Sequence, residues 1–321
     1  MRFIPKVLFF SVFVICLFIL GNRIIFNKKN LKENIVVENI NKSKQEDTKK
    51  EDEKVSLPEE KGNIELLFTT DASKLPIVET IIYSNRVPWL KERPAWITDY
   101  AAHYHTTKHF IARSLNKKAD YFTQNISIGE AFNVLRTDKD ISFYLIVDLS
   151  KTKMLFYAID NTDNQTYLLK TYDVGVGKKD LSKTSGCLTP LGKYILGDKV
   201  AIYKPGIKGY FKNKKIEMIK EFGTRWIPFE KELENCSELT KGLGIHGTPW
   251  IENKKIESLV EERSKVSIYD SNGCLRLLSE DMEELFSVII SRPTVIEIVK
   301  SIENSDFFYD INKKENYTCE K

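Results

Sequence analysis

Histidine is scarce in this chain, with 4 in 321 residues, and the 5 cysteines contain no Cys-x-x-Cys pair. A structural zinc ribbon needs such paired thiolates, so that class is excluded on spacing. An odd number of cysteines at irregular intervals (Cys16, Cys187, Cys236, Cys274 and Cys319) is not a disulfide framework either. Lys and Arg are interspersed with acids and the formal net charge is only +4, which argues against nucleic acid as a partner. The dinucleotide fingerprint is missing too: Gly175-Val176-Gly177 has no third glycine and no helical pattern after it. What remains, 42% hydrophobic and 29% charged, is a globular composition, long enough for one sizeable domain with accessory segments.

Apolar runs are short except at the N-terminus. There a basic lead, Met1-Arg2-Phe3-Ile4-Pro5-Lys6, precedes an apolar stretch over 7–21 that Ile24-Ile25-Phe26 prolongs. Its length lies between a signal-peptide core and a full membrane span. No small-x-small cleavage site follows, so residues 1–26 are expected to be an uncleaved signal anchor, a transmembrane segment in which Cys16 is one more hydrophobe. Charge leaves its orientation open, because Arg2 and Lys6 are opposed by Arg23, Lys28 and Lys29. Residues 27–62 are Lys, Glu, Asn and Asp with few large apolar side chains. Such a segment cannot offset its ordering entropy and is expected to be a disordered tether.

Residues 63–140 form a small mixed or α accessory region, with aromatic-rich turns at Pro88-Trp89 and Arg93-Pro94-Ala95-Trp96 and a helical rhythm over 97–115. It holds His103, His105 and His109. That spacing places His105 and His109 on one helix face and raises a metal-peptidase alternative. Only Asp99 stands at a matching interval, so surface or structural histidines are the default, and no metal or other cofactor is expected. From 141 onward the texture becomes β: strands are expected over 142–149, 153–158, 167–174 and 294–299, with another stretch over 222–227 and Gly and Pro turns between them. Ser279 is a candidate N-cap of a helix with Asp281 and Glu283 in its first turn. Residues 301–321 are a polar tail.

Two motifs carry chemistry. Ile245-His246-Gly247-Thr248-Pro249 places a histidine in a glycine-flanked turn, and Ser271-Asn272-Gly273-Cys274-Leu275-Arg276-Leu277 places a cysteine directly after a glycine. Thiol acyl transfer needs a base to generate the thiolate and a backbone able to approach the carbonyl closely, so that main-chain N–H groups meet the oxyanion.

Together these motifs resemble the signature of the L,D-transpeptidase (YkuD-type) catalytic domain, and the Thr189-Pro190-Leu191-Gly192 turn and the Gly175-x-Gly177 loop are similar to other landmarks of that family. The resemblance covers about residues 141–300. It implies a mainly β, sandwich-like domain with a few short helices, acting outside the cytoplasmic membrane on peptidoglycan stem peptides. A cysteine would attack the carbonyl of the third stem residue, release D-alanine and pass the acyl group to an amine, commonly giving a 3→3 cross-link. Carried onto this chain, Cys274 is the nucleophile and His246 its general base. Gly273 and Cys274 would offer N–H groups to the oxyanion, Ser271 would hydrogen-bond near the histidine or the substrate, and Gly247 and Arg276 would contact substrate. Arg276 has an equal alternative as a structural salt bridge. Many members carry a histidine where this chain has Asn272, which can orient but cannot accept a proton. The interval from His246 to Cys274 is also longer than usual; the extra residues, about 250–270, have a helical rhythm over 256–266 and suggest a lid or acceptor-binding element. Cys187, in Ser185-Gly186-Cys187-Leu188, has no histidine nearby and is expected to be a small buried hydrophobe. Hydrolysis by an L,D-carboxypeptidase and a non-catalytic wall-binding module are the competing functions.

Overall fold

Strand pairing in this protein begins where apolar residues come nearly uninterrupted. In the computed structural model, which describes residues 62–116 and 126–311, β1 (Ile141–Asp148) and β2 (Lys153–Asp160) pair antiparallel from Ile141↔Asp160 to Asp148↔Lys153. β3 (Gln165–Asp173), β4 (Gly192–Leu196), β5 (Arg225–Glu234), β6 (Gly244–Gly247), β7 (Leu275–Leu277) and β8 (Thr294–Val299) complete a mixed sheet. Its order is β7-β6-β5-β4-β8-β1-β2-β3, with Ala201–Ile202 added beside β5. Two pairs in it are parallel, β8 with β1 and β6 with β7.

The sheet curls on itself. Leu169 and Tyr172 of β3 and Ile245 and Leu275 of β6 and β7 come from its opposite ends, yet they belong to one buried cluster. The chain leaving β3 closes the gap: Gly175 N–H donates to the Arg276 carbonyl and Arg276 N–H to the Gly175 carbonyl, each at 2.9 Å. Val176–Gly177 then pairs in parallel with Tyr269–Ser271. One curled sheet wrapped around its own core thus replaces the expected sandwich of two.

Helices are few: α1 (Ile97–His103), α2 (Lys108–Asn116), α3 (Ile219–Phe222) and α4 (Ser279–Ile289). The expected helix over 97–115 is broken in two at 104–107, where His105 takes φ +50°. Phe222 ends α3 instead of starting a strand, and β5 begins at Arg225. Ser279 is the first helical residue of α4 and Leu278 the cap position, with Glu280 and Asp281 in the first turn. The Ser279 N–H is satisfied instead by the Glu261 carboxylate at 2.6 Å, so a distant segment does the work of the cap.

The region before 141 shares the main core. Val78–Ile82 pairs with Ala131–Leu135, and Ile64, Leu67, Phe68 and Phe110 join the same buried cluster as the curled sheet. A buried ion pair, Arg113 to Glu284 at 3.2 Å, ties α2 to α4, and Lys170 and the Tyr172 hydroxyl also reach Glu284. The three histidines diverge. His103 stacks on Trp89 at 4.3 Å, the His105 carbonyl accepts from Arg292, and His109 packs edge-on to Phe286 at 5.4 Å. No group of three His, Cys, Asp or Glu side chains able to hold a metal exists among the described residues.

The tail expectation is corrected as well. Ile302 and Phe308 are buried with Ile146, Leu155 and Val299 on the outer face of the sheet, and Phe307 stacks on Tyr144 at 4.0 Å. The folded body therefore continues through residue 311. The anchor over 1–26 and the tether up to residue 61 lie outside the described residues, among which no helix is long and apolar enough to cross a membrane. Truncating a buried phenylalanine costs about 3–5 kcal/mol. Phe308→Ala is expected to lower unfolding free energy in urea by about 3 kcal/mol, and Tyr309→Ala, 66% exposed, by less than ~0.5 kcal/mol. Equal effects would show that the tail is not packed.

Candidate active site

Side chains along a strand alternate between faces, and the pairing of β6 with β7 uses that alternation to assemble the site. Ile245 is registered with Leu275, His246 with Arg276 and Gly247 with Leu277. Ile245, Leu275 and Leu277 enter the core, which leaves His246 and Arg276 side by side on the opposite face. Cys274, two residues before Arg276, shares that face and lies diagonal to His246. Gly244 precedes Ile245 on the neighbouring strand and brings no side chain, and its backbone N–H favours the thiolate of Cys274. A parallel pair cannot be joined by a tight turn. The long interval from His246 to Cys274 is therefore a crossover between neighbouring strands.

His246 is buried under two rings, Phe222 edge-on at 5.4 Å and Trp226 stacked at 5.7 Å. Its Nδ1–H donates to the Gly247 carbonyl at 2.7 Å. That bond fixes the tautomer and leaves Nε2 as the basic nitrogen. Gly247 is buried against Gly223, where φ is +63° and a Cβ would lie 2.5 Å from the Gly247 carbonyl carbon. Gly247 therefore orients the imidazole from inside the fold, not from a substrate-facing surface.

The turn before the cysteine is tied from both sides. Gly273 has φ +115°, and a Cβ there would meet the Leu188 carbonyl at 2.8 Å, so only glycine fits. Its N–H donates to Ser271 Oγ at 3.1 Å, and the same hydroxyl donates to the Cys274 carbonyl at 2.6 Å. Ser271 is thus a brace within the turn. It does not reach the histidine, and the Gly273 N–H that was expected to face an oxyanion is engaged. A residue without an expected role completes the brace: buried Thr189 accepts from the Gly177 N–H at 2.7 Å and donates to the Gly273 carbonyl at 3.1 Å. Asn272 is at the exposed tip of the turn. Cys187 is buried and its thiol donates to the Thr189 carbonyl at 3.6 Å.

Charge is arranged around the pair. Arg276 Nη1 meets Asp270 at 3.0 Å, and Lys265 reaches the same carboxylate at 3.0 Å, which realises the salt-bridge alternative. Burial is the largest influence on Cys274 and pushes its thiol up; the Gly244 N–H and the Arg276 guanidinium pull it down without overcoming burial. Burial likewise pushes His246 down to about 4, against the opposing Gly247 and Phe222 backbone groups and with Arg276 reinforcing it. At neutral pH the two groups rest as thiol and neutral imidazole, not as an ion pair.

The segment over 250–270 is mainly a hairpin, and the expected helical stretch over 256–266 shrinks to one 3-10 turn at Arg263–Lys265. Trp250–Asn253 pairs with Ser258–Glu261 in a hairpin whose base is anchored by Glu261. That carboxylate accepts from the Thr248 hydroxyl and from the Ser279 N–H, and pairs with Arg263 at 3.1 Å. Arg263 in turn forks onto Glu280. The insertion therefore fastens the strand carrying His246 to the start of α4.

A raised thiol predicts that iodoacetamide modifies Cys274 slowly at pH 7 and faster through the alkaline range, with a midpoint above that of a free thiol, ~8.5. Arg276→Gln is expected to move the midpoint higher still, because it removes a charge that lowers it. Mass-spectrometric time courses between pH ~6 and ~10.5 check this. A rate already at plateau by pH ~7 would contradict a half-buried thiol that is neutral at rest.

Against this geometry, residues 142–298 match the family described as YkuD, the L,D-transpeptidase catalytic domain. Comparison with curated proteins gives no match. Among solved structures, the helical cell shape determining protein Pgp2 from Campylobacter jejuni is similar at 16% identity over 50% of this chain and 49% of that one, with a TM-score of 0.32. Bd1075 from Bdellovibrio bacteriovorus is similar at 17% identity over 54% and 55%, with a TM-score of 0.33. The chain thus spans about half the length of either, and likenesses of this size carry no functional weight.

Proposed function

Because residues 142–298 belong to the YkuD family of L,D-transpeptidase catalytic domains, we propose that this protein acylates Cys274 with a peptidoglycan stem peptide and transfers the acyl group to an amine. The observation that carries the proposal is the β6–β7 register, which sets the thiol and the Nδ1-anchored histidine on one face of the sheet.

The donor is the carbonyl of the third stem residue. Since the resting pair is neutral, the proton leaves Cys274 Sγ for His246 Nε2 as the C–S bond forms. The Cys274 N–H is the main-chain donor this turn offers the oxyanion, the Gly273 N–H being engaged by Ser271. Collapse breaks the C–N bond to the terminal D-alanine, and its amine departs with the proton held by His246. In the second half the acceptor amine attacks the thioester. It loses a proton to the histidine, which returns it to the departing sulfur, and a new amide results. If the amine is the side chain of another stem's third residue, the product is a 3→3 cross-link. Water in the same position would make the enzyme an L,D-carboxypeptidase. Arg276, held by Asp270, acts on this cycle through its charge. The substrate places the domain on the outer side of the cytoplasmic membrane, to which the apolar run within residues 1–26 would tether it.

Incubation of the purified protein with a disaccharide tetrapeptide is expected to add the donor mass less D-alanine to Cys274. Cross-linked dimers mark transfer, and free tripeptides mark hydrolysis. Cys274→Ala abolishes both, and His246→Gln slows acylation about 10²–10⁴-fold. Turnover that persists in Cys274→Ala, or an unacylated wild-type protein, would sink the proposal.

A further inference from the structure

The even mixture of charge along this chain has one conspicuous interruption. Between Lys199 and Ile216 there are six lysines and no acidic residue, more positive charge than the net +4 of the whole protein. The stretch ends in a hairpin, Lys208–Phe211 paired with Lys214–Glu217, turning through Lys212 and Asn213, both at positive φ. Lys208, Lys212, Lys214 and Lys215 are exposed, and none of them pairs with a carboxylate among the described residues. Glu217, which stands opposite Lys208, is turned elsewhere: it accepts from the Gly206 N–H at 2.6 Å and pairs with Lys220 at 3.5 Å.

The hairpin is fixed beside the catalytic pair. Alternation puts Gly209, Phe211 and Ile216 on one face, together with Lys214, which is registered with Phe211. Phe211 packs edge-on to Phe222 at 5.0 Å, and Phe222 packs edge-on to His246 at 5.4 Å. A Cβ on Gly209 would strike Met218, so the hairpin base lies close on this face. The other face presents Lys208, Lys215 and Tyr210, whose ring is 77% exposed. The charge of Lys212 is felt at the Cys274 thiol. An unneutralised lysine surface flanking a reactive centre focuses anions toward it.

We propose that this lysine hairpin is the element that captures the donor as an acidic peptide, its ammonium groups engaging the carboxylates of the stem while Tyr210 packs against the peptide chain. The proposal rests on the stem peptide being the substrate. It goes beyond that in assigning recognition to residues 208–215, outside the two catalytic motifs.

The test compares the fourfold variant Lys208→Gln, Lys212→Gln, Lys214→Gln, Lys215→Gln with the corresponding fourfold arginine variant. In the first arm, Cys274 is alkylated at low ionic strength with anionic iodoacetate and with neutral iodoacetamide, which needs no turnover. The iodoacetate-to-iodoacetamide rate ratio is expected to fall about fivefold in the glutamine variant and to hold in the arginine variant. The difference should vanish near ~1 M salt, where screening reaches about 3 Å. Matching circular dichroism and thermal melting show that the fold is intact, and taking the ratio of the two reagents cancels any change in the Cys274 thiol caused by losing Lys212. In the second arm, calorimetry measures binding of a tetrapeptide stem to Cys274→Ala protein carrying the same changes. Affinity is expected to drop about tenfold with glutamine, to persist with arginine, and to show no such drop for a stem whose carboxylates are amidated. An unchanged alkylation ratio, or an unchanged affinity whatever the ratio does, overturns the proposal. Absence of acyl transfer in wild-type protein would instead count against the catalytic assignment.

Discussion

Parallel pairing of β6 with β7 is the constraint on which the rest of the site depends. Neighbours in a parallel pair must be connected over a distance, so the histidine and cysteine motifs lie on neighbouring strands while His246 and Cys274 are 28 positions apart in sequence. The connection passes through the Trp250–Asn253 and Ser258–Glu261 hairpin, whose Glu261 binds both the segment after His246 and the start of α4. Closure of the curled sheet by Gly175 against Arg276 then fixes β7 from its other edge. Each of these contacts protects one register, and a one-residue slip in it would turn the side chains of the candidate site into the core.

The same economy governs the turn before Cys274. Its backbone could not hold φ +115° with any side chain at 273, and its polar groups are engaged by two hydroxyls, Ser271 and Thr189. A turn braced in this way is rigid, and a rigid thiol would lose little entropy on reaching a carbonyl. The N-terminal region adds to this by sharing the core and by placing Arg113 on Glu284 of α4.

Legibility in the sequence followed the range of the interactions. β1, β2 and β8 were readable from their apolar residues, and the glycine neighbours of His246 and Cys274 marked two motifs that the fold carries on neighbouring strands. The stretch over 256–266 has helical spacing, yet Ile251 and Glu252 recruit Val260 and Leu259 across a hairpin and leave Ile256 exposed near its tip. Pairing between segments outweighed local rhythm there. The break at 104–107 and the burial of Phe308 have the same origin, since both depend on partners far along the chain. Thr189 was visible only as part of a turn. Nothing in its neighbours announces that its hydroxyl bridges Gly177 and Gly273.

Burial raises the Cys274 thiol and lowers the His246 imidazole, which favours the uncharged form of both at rest. Nitrogen-15 NMR of the His246 ring tests it most directly. The account predicts a neutral imidazole protonated on Nδ1 at pH ~7, titrating only as pH falls toward about 4. An imidazolium at pH ~7, or a proton resident on Nε2, would contradict it.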